Sequence, residues 1–289
     1  MNSAKLQSYA KINIGLRILR KREDGFHDLE TIFYPVKLSD EVRIEIQRSE
    51  KDINSVILSS NKPFIPLTKD NLCYKAVEYF FKEFRIRECY ELNIFIDKRI
   101  PVGGGLGGGS SNAAAIIKFL IKFMNIDIGS NREKILNLAL SIGSDVPFFL
   151  MMKPCYAGSR GEKMVSLKDF KIDYDILIVN PNLHISTKWA FERLNFKKGY
   201  TKEPVLKEVK NFKPDIYSLL ENDFERVVFN RHIEMKTIKD ELIEMGALFS
   251  SMSGSGATMY AFFDKNNKGT LRKCREYYDA KNYFTFVSG

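Results

Sequence analysis

The residues best placed for chemistry are six glycines in seven positions, Gly103 to Gly109 with only Leu106 between them, inside PVGGGLGGGSSNAAA, Pro101 to Ala115. Each glycine in a regular element is disfavoured by about 0.5–1 kcal/mol relative to alanine, so a cluster like this signals a backbone that must approach something closely. Two hydroxyls, Ser110 and Ser111, follow, and then an alanine run. A glycine turn that delivers the chain to a helix N-terminus exposes unpaired N–H groups at the positive end of the helix dipole, and the chemistry of that place is phosphate binding. A flexible linker suits the stretch less well, because a strand and a helix bound it tightly and no Gly-Ser repeat extends it.

Several phosphate patterns compete. The G-x-x-x-x-G-K-[ST] loop is absent, since no lysine lies between Lys98 and Lys118. Gly103, Gly105 and Gly108 satisfy G-x-G-x-x-G with Asp127 downstream, but no apolar strand leads to Asp127, as a dinucleotide fingerprint requires. Ser110 and Ser111 either cap the following helix or reach a phosphate or its magnesium, and with the glycines they favour a nucleoside triphosphate.

The elements that must position this loop are legible on both sides. ELNIFIDKRI alternates Leu92, Ile94 and Ile96 against polar neighbours and predicts a strand ending before Pro101, while SSNAAAIIKFLIKFMN predicts a helix. Upstream, Leu72, Ala76, Phe80 and Phe84 recur at helical spacing behind Asp70 or Asn71 as cap. Downstream, Ser130 and Glu133 stand at capping-box spacing before a helix closed by Gly143. EVRIEIQ and SVILSS predict strands. In the second half YDILIVNP, ATMYAFF and NYFTFV predict strands, HIEMKTIKDELIEMGA and KGTLRKCREYY predict helices, and together they suggest a sheet with helices on one face. The charged stretch 195–214 reads as a connection.

The whole chain bounds the function. Its 289 residues, 44% hydrophobic and 28% charged, suit one large or two ordinary globular domains. AAAIIKFLIKFM is broken by Lys118 and Lys122 and is too short to span a bilayer, and the N-terminus lacks a secretory pattern, so a cytoplasmic location is expected. Four scattered cysteines and three histidines argue against structural zinc and a disulfide framework. The net charge of +9 is spread among 36 acidic residues and suits phosphorylated small molecules at least as well as nucleic acid.

Three separated segments carry a resemblance. PVGGGLGGGSSNAAA resembles the P-x-x-x-G-L-G-S-S-A-A loop of the GHMP kinases. SYAKINIGLRILRKREDGFHDLETIF, Ser8 to Phe33, and GSDVPFF with SMSGSGATMYAFF are similar to further motifs of that family, most of all to its member acting on a cytidine-diphosphate-linked methylerythritol. The resemblance implies an α+β fold of two lobes, an N-terminal one like ribosomal S5 domain 2 over 1–155 and a ferredoxin-like one over 156–289, with the active site in a cleft between them. It implies ATP-dependent phosphorylation of a 2-hydroxyl, in isoprenoid precursor synthesis by the non-mevalonate route, with Mg2+ carried by the ATP phosphates.

Carried over by motif, the resemblance makes Asp145 the base and Lys11 its partner cation. Pro101, Val102, Gly103, Gly104, Gly105, Leu106, Gly107, Gly108, Gly109, Ser110 and Ser111 form the ATP loop. His27, Phe26 and Phe191 surround the cytosine, and Asn13 and Thr187 contact the diphosphate-sugar portion. Phe26 stands where tyrosine is commoner, which keeps a stacking face and loses a hydroxyl. Gly254, Ser255 and Gly256 form a second glycine turn expected to brace the first. The expected partner is a small molecule, with no nucleic acid and no membrane. The alternatives are a homoserine- or mevalonate-type kinase of the same family, or an S5-like nucleic-acid-binding protein without catalysis.

Overall fold

Two long strands open the chain. In the computed structural model, which describes residues 2–51, 53–196, 199–209 and 212–289, β1 (Asn2–Lys21) and β2 (His27–Arg48) pair with one another. Residues 10–16 of β1 are buried without a break. Ala10, Ile12, Ile14 and Leu16 alternate with Lys11, Asn13 and Gly15 as a half-buried strand would, yet Lys11 and Asn13 are buried too, so both faces of this stretch are covered.

Along the chain follow β3 (Ser55–Ser60), α1 (Leu72–Glu83), β4 (Tyr90–Asp97), α2 (Gly108–Phe123), α3 (Arg132–Ile142) and α4 (Val146–Met151). Then come β5 (Cys155–Gly158), β6 (Lys163–Ser166), β7 (Asp175–Asn180), α5 (Thr187–Arg193) and two 3-10 turns, Leu206–Glu208 and Pro214–Leu219. The remainder is α6 (Glu225–Arg231), α7 (Ile233–Glu244), β8 (Phe249–Ser253), β9 (Thr258–Phe263), α8 (Lys268–Ala280) and β10 (Phe284–Ser288). The chain divides into two compact units. One takes Met1–Ala10, Leu38–Ile100 and Gly107–Met152; the other takes Lys11–Lys37, Pro101–Leu106 and Lys153–Gly289.

In the first unit β3 runs parallel to β4, and β4 antiparallel to the end of β2, with Ile94 opposite both Leu58 and Ile44. Helix α2 packs on α1 and α4. Its buried Ala113, Ala114 and Ala115 are small enough for close helix approach, and Ile116, Ile117 and Leu120 fill the space behind them. Asn71 caps α1 as expected, its Oδ1 accepting from the Cys73 N–H at 2.9 Å. The capping box at Ser130 and Glu133 does not form. Helix α3 starts at Arg132 behind Asn131, and the Ser130 N–H donates instead to Asp127 Oδ2 at 2.8 Å, an Asx-type turn that competes with helical capping.

The second unit contains an antiparallel sheet in the order β10-β7-β9-β8. Leu177, Val179, Met259, Ala261 and Phe263 form one core with Met235, Ile238 and Leu242 of α7 and Leu271, Cys274 and Tyr278 of α8. Helices thus cover one sheet face, as the pattern predicts. Thr31–Phe33 of β2 pairs antiparallel with β5, and β5 with β6. Lys197, Lys198, Lys210 and Asn211 of the connection 195–214 lie outside the described residues. No helix among the described residues is long and apolar enough to cross a membrane.

Candidate active site

The two units each carry part of the predicted set. In the second, Pro101–Leu106 is fitted onto its own unit so closely that side chains are excluded. A Cβ on Gly104 would lie 2.6 Å from Thr258 Oγ1 and 2.8 Å from Asn180 Nδ2, and one on Gly103 would lie 2.7 Å from His184 Nδ1. At Gly105, whose φ is +75°, it would run into the Ser253 carbonyl. The second glycine turn sits against the first, with Gly105 Cα 3.3 Å from where a Gly254 Cβ would stand, so the expected bracing is present. Gly103, Gly104 and Gly105 are therefore required by the packing of this unit.

Lys11 and Asn13 of β1 lock this arrangement. The Lys11 N–H donates to the Leu106 carbonyl at 3.0 Å, and its buried ammonium donates to the Gly105 carbonyl at 2.9 Å and to Asn13 Oδ1. Ser253 Oγ also donates to the Gly105 carbonyl, at 3.0 Å, and accepts from the Asn13 N–H at 3.1 Å. Asn13 Nδ2 donates to Thr31 Oγ1 at 3.1 Å. The Lys11 ammonium lies 5.1 Å from the centre of the Phe33 ring, a cation–π arrangement that offsets its desolvation. A cation held between carbonyl oxygens and a ring is aimed, and cannot swing as a surface lysine does.

Aromatic groups form a separate cluster in the same unit. His27 and Phe191 stack with centroids 5.0 Å apart and planes 20° from parallel, and Phe191 meets Phe224 edge-on at 4.8 Å. A base sandwiched between two rings needs about 7 Å, two van der Waals contacts, so a base would stack on the outside of the pair or part it. Burial, and then the charge of Lys21, pull the His27 pKa below its usual value, which favours the neutral imidazole with one donor and one acceptor nitrogen. Phe191 and Thr187 stand four residues apart on α5, capped by Ser186, whose Oγ accepts from the Trp189 N–H. Thr187 Oγ1 hydrogen-bonds Ser255 Oγ at 2.8 Å, which ties it to the second glycine turn. Phe26 is half exposed, with the Arg160 guanidinium 4.9 Å from its ring centre.

In the first unit, α2 begins behind Gly107, a left-handed residue with φ +71° that offers no side-chain cap. Ser110 and Ser111 lie inside the first turn and do not cap it. Ser111 is buried and its Oγ accepts from Ser8 Oγ at 2.8 Å, while Ser110 is half-buried. The Ser111 N–H makes the first helical bond, to the Gly107 carbonyl, so the preceding amides of the turn have no helical acceptor. Gly109 is exposed, and a Cβ there would meet only Leu72 Cδ1 at an ordinary 3.7 Å. Asp145 precedes α4 without a side-chain cap bond to it, so helix capping is not its role.

His184, Asn180 and Ser253 are parts of the arrangement not named as site residues from the sequence; each meets the loop from a distant segment, while Thr31, within the DGFHDLETIF motif, meets Asn13, and Ser253 lies in the SMSGSGA run. Asn222 and Glu225 hold the second turn. Asn222 Nδ2 donates to the carbonyls of Met252 and Gly254, at 2.6 and 2.9 Å, and Glu225 Oε1 accepts from the Met252 N–H at 2.8 Å. Among the described residues no group of three or more His, Cys, Asp or Glu side chains is gathered for a metal ion.

Comparison with known proteins adds a second line. The GHMP kinases N terminal domain matches residues 71–153 and the GHMP kinases C terminal domain residues 204–280. The chain is 35% identical over 284 residues to the 4-diphosphocytidyl-2-C-methyl-D-erythritol kinase of Chlorobium phaeovibrioides, covering 96% of this chain and 93% of the relative. It is 37% identical over 293 residues to the kinase of the same name from Thermoanaerobacter pseudethanolicus, covering 99% and 95%. Among solved structures it is similar to a 4-(cytidine 5'-diphospho)-2C-methyl-D-erythritol kinase, with TM-score 0.76, 25% identity and 99% and 98% of the two chains covered. A homoserine kinase from Cytophaga hutchinsonii shares the fold, with TM-score 0.64, 17% identity and 100% and 95% covered.

Proposed function

From the premise that the chain belongs to the GHMP kinases, with the α+β fold its motifs imply, we propose that it transfers the terminal phosphoryl group of ATP to the 2-hydroxyl of 4-diphosphocytidyl-2-C-methyl-D-erythritol. The observation that carries this is the near-full-length identity of 35% and 37% to two kinases of that name. The family matches over 71–153 and 204–280 support a division along the sequence into an N-terminal lobe over 1–155 and a C-terminal lobe over 156–289, although the compact units count Lys11–Lys37 and Pro101–Leu106 with the second.

Phosphoryl transfer needs positioning and charge stabilisation more than covalent chemistry. The loop Pro101–Ser111 takes the triphosphate. Supporting this, the first turn of α2 is free of any side-chain cap and Gly109 leaves its approach open. Mg2+ carried by the ATP phosphates would offset their charge. Asp145 orients the acceptor hydroxyl and receives its proton late, as the new P–O bond forms. Lys11 supplies the fixed positive charge that favours the developing oxyanion. His27 and Phe191 receive the cytosine, with Phe26, Asn13 and Thr187 as further contacts, and His27 can read a base edge in its neutral form. The reaction is placed in the cytoplasm, on small molecules only.

The test is a coupled assay of phosphate transfer from Mg-ATP to the cytidyl substrate, homoserine and mevalonate in parallel. Turnover of the first alone is expected. Turnover of homoserine or mevalonate instead, or salt-sensitive RNA binding without transfer, would select one of the alternatives.

A further inference from the structure

Both stems of the glycine loop are held by one buried carboxylate. Asp40, in β2 and fully buried, accepts on Oδ1 from the Arg99 and Ile100 N–H groups, each at 2.8 Å, on the strand side of the loop. On Oδ2 it accepts from the Lys98 ammonium and from Asn112 Nδ2, the latter at 2.9 Å, on the helix side. Asn112 Nδ2 also donates to Ser8 Oγ at 2.9 Å, and Ser8 Oγ donates to Ser111 Oγ. Lys98, Asn112, Ser8 and Ser111 are all at least nine-tenths buried. The Lys98 ammonium occupies the space a side chain at Gly108 would need, 2.5 Å from its missing Cβ.

We infer that Asp40 is a positioning residue for nucleotide binding, acting through Lys98 and Asn112 to fix the spacing between the two ends of the loop. This rests on the proposal that the loop binds ATP. A glycine-rich turn has little stiffness of its own; Pro101–Leu106 is held by Lys11 and Ser253, and the amides at the helix end, from Gly107 on, are placed by the stems. Four bonds to one carboxylate make the stems a single rigid body. Replacing Asp40 by asparagine keeps the size but turns an acceptor into a donor facing two donors, the Lys98 ammonium and Asn112 Nδ2, and the stems separate. Asp40 touches no substrate in this scheme, so the loss falls on ATP and not on the acceptor.

The experiment compares KM for Mg-ATP, KM for the cytidyl substrate, kcat and the urea midpoint in the unaltered chain and four variants. Asp40→Asn is expected to raise the ATP KM at least about tenfold, because small misplacements of binding groups are amplified in this way, and to leave the cytidyl KM within about twofold. Asn112→Ala cuts the helix-side bond to Asp40 and the bond to Ser8, keeps the Lys98–Asp40 pair and shifts the ATP KM in the same direction; it decides the matter if Asp40→Asn does not fold. Ile44→Ala, a core truncation on the same strand, lowers the urea midpoint and leaves the ATP KM where it was. If Asp40→Asn and Asn112→Ala behave like Ile44→Ala, the carboxylate is structural only and the inference is overturned. Gly109→Ala tests the loop itself: if it raises the ATP KM while the Asp40 and Asn112 variants do not, only the positioning role fails. If none of them moves it, the ATP-loop reading fails and the inference falls with it.

Discussion

Alanine at position 109 should make the protein more stable and a poorer binder of ATP, two effects of opposite sign from one methyl group. Gly109 lies in the first turn of α2 with ordinary helical backbone, and the new Cβ would touch only Leu72 Cδ1, at 3.7 Å. With no clash and no strain, glycine to alanine in a helix contributes up to about 1 kcal/mol of stability, or roughly 2–4 °C in Tm for a chain of this class. A triphosphate oxygen must come within about 2.7–3.2 Å of a first-turn amide, and a methyl there keeps it away. Losing one charge-assisted bond of about 1.5–3 kcal/mol raises the ATP KM by about 10- to 100-fold. Thermal melts without ligand, together with steady-state kinetics on both substrates, separate the two effects. A Gly109→Ala chain that is stabilised and binds ATP as before would refute phosphate binding at this turn. Gly105→Ala is the contrasting case, since its Cβ enters the Ser253 carbonyl at φ +75° and lowers stability whatever the loop binds.

Asp145→Asn should lower kcat by about 10²–10⁴; near-normal turnover of a folded variant would remove it as the base. Lys11→Met should lower kcat to a similar degree and also destabilise, by about 1–3 kcal/mol, because the buried Asn13 Oδ1 loses its donor; full stability would show that this bond contributes nothing. His27 gives a pH signature. Its folded pKa lies below the usual 6.5 through burial and Lys21, so the unfolded chain binds the proton more readily, and the stabilising contribution is present above 6.5 and lost as pH falls through the folded value. The KM for the cytidyl substrate should rise over the same acid range, and His27→Gln should flatten both curves; curves identical to the parent's would assign the titration to another group.

How much of this was legible beforehand depends on sequence distance. The alternation in β4 and the amphipathic α1 are local patterns, and the structure contains them as read. In β1 the alternation of Ala10, Ile12, Ile14 and Leu16 is local, but the burial of Lys11 and Asn13 is not, because their partners Gly105, Ser253 and Thr31 come from other segments. The start of α3 was misplaced because Asp127, three residues before Ser130, captures its amide. The glycine loop could be recognised, but the reason for its first three glycines could not. Their neighbours, His184, Asn180, Thr258 and Ser253, are 76 to 154 or so positions away, and nothing local encodes them. Asp40 was silent for the same reason, its partners Lys98 and Asn112 being 58 and 72 residues distant.

Phosphate transfer itself remains the most direct measurement: purified protein, Mg-ATP and 4-diphosphocytidyl-2-C-methyl-D-erythritol, with the product's phosphate located by NMR. A monophosphate on the 2-hydroxyl, formed with one ADP per turnover and abolished by Asp145→Asn, is the predicted result. ADP release without a phosphorylated cytidyl product, or equal product from the Asp145→Asn chain, would contradict it.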